Sequence, residues 1–227
     1  MNYLLAVIIN IGFMVFGYLV GSLNTSIILG TLWKKTDIRK FHSNNAGATN
    51  SARVLGKKFG LCVLLLDIVK GAAVVAIVQG LALINQVGET YYFLPILAGF
   101  SCVIGHIYPV FFGFKGGKGV GCAIGVLTAV NVVLFVIAAI VFFSVALIWK
   151  YVSLASILSA VAMIIFGFVP WMINGTLTWN TEFVMQYWYV TSIIFALTCS
   201  LVIFAHRSNI VRLWNKTERK INLFHKA

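Results

Sequence analysis

The residues of this chain that are able to do chemistry fall into four short polar islands, each set against a long apolar run. Gly21-Ser22-Leu23-Asn24-Thr25-Ser26 closes the first apolar stretch. His42-Ser43-Asn44-Asn45-Ala46-Gly47-Ala48-Thr49-Asn50, with Arg53 close behind, forms the second island. The third runs from Gly105-His106 through Pro109 to Phe114-Lys115-Gly116-Gly117-Lys118-Gly119-Val120-Gly121, and the fourth, His206-Arg207-Ser208-Asn209, opens a basic tail. Glycine turns expose backbone amides, Ser and Asn add neutral hydrogen bonds, and Lys and Arg add charge. Together they make a cradle for an anion, and phosphate is the anion that suits it. The third island is no nucleotide P-loop, because Gly follows Lys118 where Ser or Thr is needed and Phe stands at 112.

Each island also has a plainer reading. Gly116, Gly117 and Gly119 suit a simple turn with solvated lysines, and 42–50 suits a hydrated loop. His106 reads as a helix-end hydrogen bonder, and Arg207, Arg212, Arg219 and Lys220 as an anchor to anionic lipid. Five dispersed carboxylates, and histidines without ligand spacing, argue against a metal. Cys62, Cys102, Cys122 and Cys199 form no Cys-x-x-Cys pair and read as small buried hydrophobes. Asp67 and Lys70, spaced i,i+3 inside an apolar run, share a helix face and are expected to pair within the bundle.

The elements that must position these islands are membrane helices. Hydrophobic residues make up 61% of the 227 and charged ones only 10%, far from the balance of a soluble domain. Several apolar runs approach or exceed the roughly 20 residues that span a bilayer. The net charge of +12 does not point to nucleic acid, because it is gathered into clusters at 34–58, 115–118, 150 and 207–226. Placing every cluster on the cytoplasmic side leaves Lys70 as the one basic residue of 17 outside them. It also sets the crossings at 3–22, 60–82, 93–112, 154–172 and 187–205, with a hairpin over 119–149 whose two helices have about 15 residues each. The expectation is an all-α, single-domain protein of seven transmembrane helices over residues 1–227, N-terminus outside and C-terminus cytoplasmic.

Taken in order, the islands resemble the bacterial acyl-phosphate-dependent glycerol-3-phosphate acyltransferases. The resemblance rests on Gly21-Ser22, then Ser43-x-Asn45-x-Gly47-Ala48-Thr49-Asn50-x-x-Arg53, then Gly105-His106 with Phe114 to Val120, and last His206-Arg207-x-Asn209 with Thr217-Glu218. Leu65-Leu66-Asp67-x-x-Lys70-Gly71 and Tyr151 to Ser156 are similar too. Asn24 departs from the family pattern at a usual proline, and His42 and Asn44 depart at glycines flanking the serine. Lys216 and Arg219 occupy positions where glycine and proline are common.

The resemblance implies transfer of a fatty acyl group from acyl phosphate to the 1-hydroxyl of glycerol 3-phosphate in the cell's inner membrane, with the site on the cytoplasmic side and no cofactor. Arg53 and Lys118, with the amides of Gly116, Gly117 and Gly119, are then expected to hold phosphates. Ser43, Asn45, Asn50, Ser153, Ser156 and Asn209 are expected to orient oxygens. His206 or a substrate phosphate oxygen serves as base. No His-x-x-x-x-Asp pair of the thioester-using acyltransferases occurs. An organic-phosphate transporter is the competing class, although such proteins place their sites near the midplane between repeats. A structural lipid-binding protein is a third reading.

Overall fold

The computed structural model describes residues 3–84, 92–173 and 185–221. Glu89 and Glu182, which the topology reading placed in outer loops, lie outside them. Among the described residues every regular element is helical. The α-helices are α1 Tyr3–Ser22, α2 Thr25–Lys34, α3 Ala48–Leu55, α4 Lys57–Leu83, α5 Pro95–Ile107, α6 Val120–Val130, α7 Val132–Trp149, α8 Val152–Phe166, α9 Pro170–Ile173, α10 Trp188–Ala205 and α11 Arg207–Trp214. Five stretches are long and apolar enough to cross a membrane: α1 with α2, α4, α5 with the turn after it, α7 and α10. Two shorter apolar helices, α6 and α8, accompany them.

The α1–α2 break falls at the first polar island. Asn24 keeps it without proline, its side chain accepting from the Ile27 amide at 3.1 Å as an N-cap. A break also strands carbonyls at the end of α1. Lys70 of α4 takes two of them, donating to Gly21 O at 3.2 Å and Leu23 O at 3.1 Å.

The stretch 119–149 divides into two helices as expected, but unequally. The expected helices of about 15 residues are instead α6 of 11 and α7 of 18. The cause is Asn131, which ends α6, caps α7 by accepting from the Leu134 amide at 2.8 Å, and donates to Met172 O in α9. Short α6 is sheathed by protein: Cys122, Val126, Leu127 and Val130 are all buried. Long α7 turns Ile140, Phe143, Leu147 and Ile148 outward, as a lipid-facing helix should.

The helices meet through small residues. A Cβ on Gly21 would fall on Cys102 O, one on Gly71 on Cys122 O, and one on Gly125 on Ile68 O. These contacts let α1 approach α5, and α4 approach α6, at backbone distance, bringing the islands to one end of the bundle.

Overpacking at such a contact costs about 1–3 kcal/mol. Gly125→Ala should therefore lower the apparent melting temperature in detergent, whereas Gly12→Ala, with nothing within 4 Å of its added carbon, should leave it unchanged.

Candidate active site

The glycine–lysine island follows α5 as a folded strap. After Pro109 a short turn spans Val110–Phe112, and Gly113 and Phe114 both take positive φ. Arg39 clamps this turn from outside, donating to Phe112 O at 2.7 Å and Lys115 O at 3.1 Å while its remaining donors rest on Asp37. Gly116 N–H donates to Ile107 O at 3.1 Å and Gly117 N–H to His106 O at 3.0 Å. Ala46 N–H in turn donates to Gly116 O at 3.1 Å, tying the second island to the third. The expectation that the Gly116 and Gly117 amides hold phosphate is thus corrected: they pin the strap to the end of α5. These glycines serve close approach instead, since a Cβ on Gly117 would fall on the His106 ring. Gly119, at φ 81°, caps the start of α6, and no backbone acceptor engages its amide among the described residues.

The strap delivers Lys118 inward. Its ammonium donates to Asn209 Oδ1, and Asn209 Nδ2 donates to Glu218 Oε1 at 2.7 Å. Ser153 Oγ donates to the same carboxylate oxygen at 2.8 Å, and Arg212 Nε to Oε2 at 2.7 Å. Glu218 therefore joins α8, α11 and the tail, and through Asn209 the strap. Sequence reasoning gave Glu218 no role, because a carboxylate between Thr and Arg in a basic tail looks like a solvated charge. Its one sequence signal was membership of the family stretch Thr217-Glu218.

Three groups here have shifted titration. Burial pulls Lys118 down to about 8, helped by Arg212 and Arg53 and opposed by Glu218. Burial pulls His206 down to about 4, with the Lys118 charge adding to the effect. Burial pushes Glu218 up, but its bonds from Arg212, Asn209 and Ser153 outweigh that and hold its carboxyl below the ordinary range. His206 lies 2.8 Å from Val202 O through Nδ1, and a carbonyl only accepts. Nδ1 therefore carries the proton, leaving Nε2 as an acceptor.

Beside this network opens a cleft enclosing about 420 Å³, part of it open to solvent. One wall is His42, Ser43 and Arg53; the other is Arg212, Thr217, Glu218 and Arg219. Arg212 and Arg219, expected as lipid anchors, thus face the cleft. Partial burial, then Arg219 and Arg212, depress the Arg53 guanidinium, while Glu218 works the other way. Asn50 corrects another expectation. It is 2% exposed and donates to Ile38 O and Phe41 O, while its oxygen accepts from the Ser43 amide. It shapes the loop that presents Ser43 and is not free for substrate. Ser156 spends its proton on Val152 O one turn back, and Asn45 is half-buried against Gly47.

Deeper in the bundle Asp67 and Lys70 pair at 3.4 Å as expected, and Thr25 donates to Asp67 at 2.9 Å. His106 Nδ1 stands 3.6 Å from the same oxygen. Asp67, His106 and Cys122 bring possible ligand atoms within 4.8 Å of one another. The Lys70 ammonium already supplies the positive charge there, which disfavours a metal cation.

The model of the family described as glycerol-3-phosphate acyltransferase matches residues 11–216. A glycerol-3-phosphate acyltransferase of Mycoplasmopsis synoviae (strain 53) is 43% identical over 221 residues, covering 97% of this chain and 98% of the relative. A crystal structure of PlsY (YgiH), an integral membrane glycerol 3-phosphate acyltransferase in its glycerol 3-phosphate form, superposes with a TM-score of 0.75 at 34% identity. That match covers 95% of this chain and 99% of the other. The lysophosphatidic acid form of the same protein gives 0.72, also at 34% identity, covering 94% and 95%.

Asn50→Ala removes three hydrogen bonds of the 38–50 segment, one of them buried and two partly so. At about 1 kcal/mol each the variant should be about 2–3 kcal/mol less stable. Limited proteolysis should cut that loop faster while the rest of the chain remains protected.

Proposed function

The chain belongs to the glycerol-3-phosphate acyltransferase family and is an integral membrane acyltransferase, and from that premise we propose that it takes its acyl group from fatty acyl phosphate. The acceptor is glycerol 3-phosphate, and the products are 1-acyl-glycerol 3-phosphate (lysophosphatidic acid) and inorganic phosphate, the first step of phospholipid synthesis. We further propose seven crossings of the inner membrane as a single domain, N-terminus outside, with α6 and α8 among the spans and the islands on the cytoplasmic side. The basic residues of 34–58, 115–118 and 207–220 support that orientation.

One observation carries the reading. Lys118 and Arg53, from separate islands, converge with Arg212 and Arg219 around a single carboxylate at the end of an apolar bundle. Such an excess of cations suits two phosphate-bearing substrates, one of which keeps its chain in lipid. In the reaction the 1-hydroxyl oxygen attacks the acyl carbon, the bond from that carbon to the phosphate oxygen breaks, and phosphate leaves with its electron pair. Acyl phosphate is a mixed anhydride, so no covalent enzyme intermediate is needed. Lys118 and Arg53 neutralise the phosphates, Ser43, Ser153 and Asn209 orient oxygens, and positioning supplies most of the acceleration.

For the proton, His206 at about 4 is a weak base, whereas a phosphate monoester titrates near ~6. A substrate phosphate oxygen is therefore the better acceptor, with His206 Nε2 accepting a hydrogen bond that orients the hydroxyl. Transport of an organic phosphate is disfavoured, because the cations crowd one end of the bundle, not its middle.

Purified protein in lipid should release phosphate only when palmitoyl phosphate and glycerol 3-phosphate are both present, with lysophosphatidic acid formed in equal amount. Release with palmitoyl-CoA in its place, or uptake of glycerol 3-phosphate without acylation, would refute the donor or the reaction. Lys118→Ala should lose most turnover while still inserting. Because the free Lys118 ammonium is half lost at about pH 8, kcat/KM should fall above that pH. The kcat limb should lie higher, since bound phosphate favours the charged form.

A further inference from the structure

Two residues that depart from the family pattern meet across the cleft. Arg219 Nη1 stands 3.3 Å from His42 Nδ1, although 177 positions separate them in sequence. A guanidinium only donates, so His42 Nδ1 accepts and the ring proton sits on Nε2. We propose that Arg219, held over the cleft mouth by His42, forms with Arg53 an outer anion subsite that takes the phosphate of glycerol 3-phosphate from water ahead of Lys118; the proposal rests on the acyltransferase reading above.

The charge distribution supports this. Arg212 is committed to Glu218 at 2.7 Å. Arg53 and Arg219, by contrast, have no ion-pair partner among the described residues. Both are exposed on the cleft, and the Arg219 charge disfavours the charged form of Arg53, which a dianion between them would relieve. Forked guanidinium donors match a phosphate better than any neutral group does, and the Ser43 hydroxyl stands on the same wall. The local backbone is arranged for the contact. His42 is held at φ 52° and Lys216, which turns the tail back, at φ 56°. The tail is fastened beyond Arg219 by Ile221 N–H to Lys150 O at 2.7 Å. An exposed mouth selects the water-soluble substrate, since the acyl donor's chain stays in hydrocarbon.

The test uses the full chain in phosphatidylcholine vesicles at low ionic strength. Arg219→Gln should raise the KM for glycerol 3-phosphate about fivefold, the worth of one rim charge. Its kcat and its KM for palmitoyl phosphate should stay at wild-type values, and the KM difference should shrink with added salt. Inorganic phosphate should inhibit the variant correspondingly less. His42→Gly, which frees the arginine without removing it, should give a smaller rise in the same KM.

An unchanged KM for glycerol 3-phosphate overturns the subsite. A rise confined to palmitoyl phosphate would assign the arginine to the acyl donor, and an effect seen only with anionic vesicles would assign it to lipid headgroups; either overturns it as stated. If the wild type shows no turnover, the acyltransferase reading fails separately. The subsite is then read from thermal stabilisation by glycerol 3-phosphate alone, which should weaken in Arg219→Gln.

Discussion

The Glu218 carboxylate is the interaction on which the cationic end of the bundle depends. Lys118, Arg53, Arg212 and Arg219 lie close enough to shift or feel one another's charge, and Glu218 is the acid among them. It is 7% exposed through its side chain and accepts from Ser153, Asn209 and Arg212, so its charge is fully engaged. Removing one partner of such a group leaves the others buried and uncompensated, which costs more than the bond itself gains. The same carboxylate sets geometry. Asn209 presents its oxygen to Lys118 because its amide nitrogen is held by Glu218, so acid, amide and ammonium are ordered as a chain.

A second ionic centre lies deeper and does a different job. Asp67 gathers Lys70, Thr25 and His106, and Lys70 reaches on to the carbonyls stranded where α1 breaks. The His106 ring lies against Gly117, whose amide donates to the His106 carbonyl. The path from Asp67 to the strap that carries Lys118 is therefore made of direct contacts. Charges in an apolar bundle are costly and persist where they are paired. Here the pairing also joins two helix ends to the turn that carries Lys118.

Much of this was legible in the sequence because charge and hydropathy alone dictate it. The apolar runs placed α1, α4 and α10 within a few residues but overran the ends of α5 and α8 and gave no sign of α2, α3 or α11, while the Asp67–Lys70 spacing foretold the pair. The unequal division of 119–149 was not legible, since the choice of Asn131 as a break depends on Met172 O from a later segment. Nor were the roles of Gly116, Gly117 and Asn50. A glycine-rich or Asn-rich stretch advertises free donors, but only tertiary contact shows that these donors are spent on backbone carbonyls. The departures from family pattern are instructive in the opposite sense. His42, Asn44 and Lys216 replace residues that are commonly glycine, yet all three keep positive φ. A positive φ is costly for any residue but glycine and persists only where the surrounding structure fixes it.

The two sides of the charge network divide the work by solvation. Lys118 is half-buried and its ammonium weakened, so an anion reaching it gains from a low dielectric but must first shed water. Arg53 and Arg219 are exposed on the cleft, where attraction is weaker than at Lys118 and, despite the partial burial of Arg53, less water must be shed. A phosphate moving from the arginines to the lysine would exchange hydration for protein donors in stages instead of in one costly step. Neutral His206 fits the inner stage: a second cation there would hold phosphate more tightly in the ground state without helping the hydroxyl attack. Burial and the neighbouring Lys118 charge both keep it uncharged, so under the proposed mechanism the ammonium offered to phosphate would also leave the imidazole free to accept the hydroxyl's hydrogen bond.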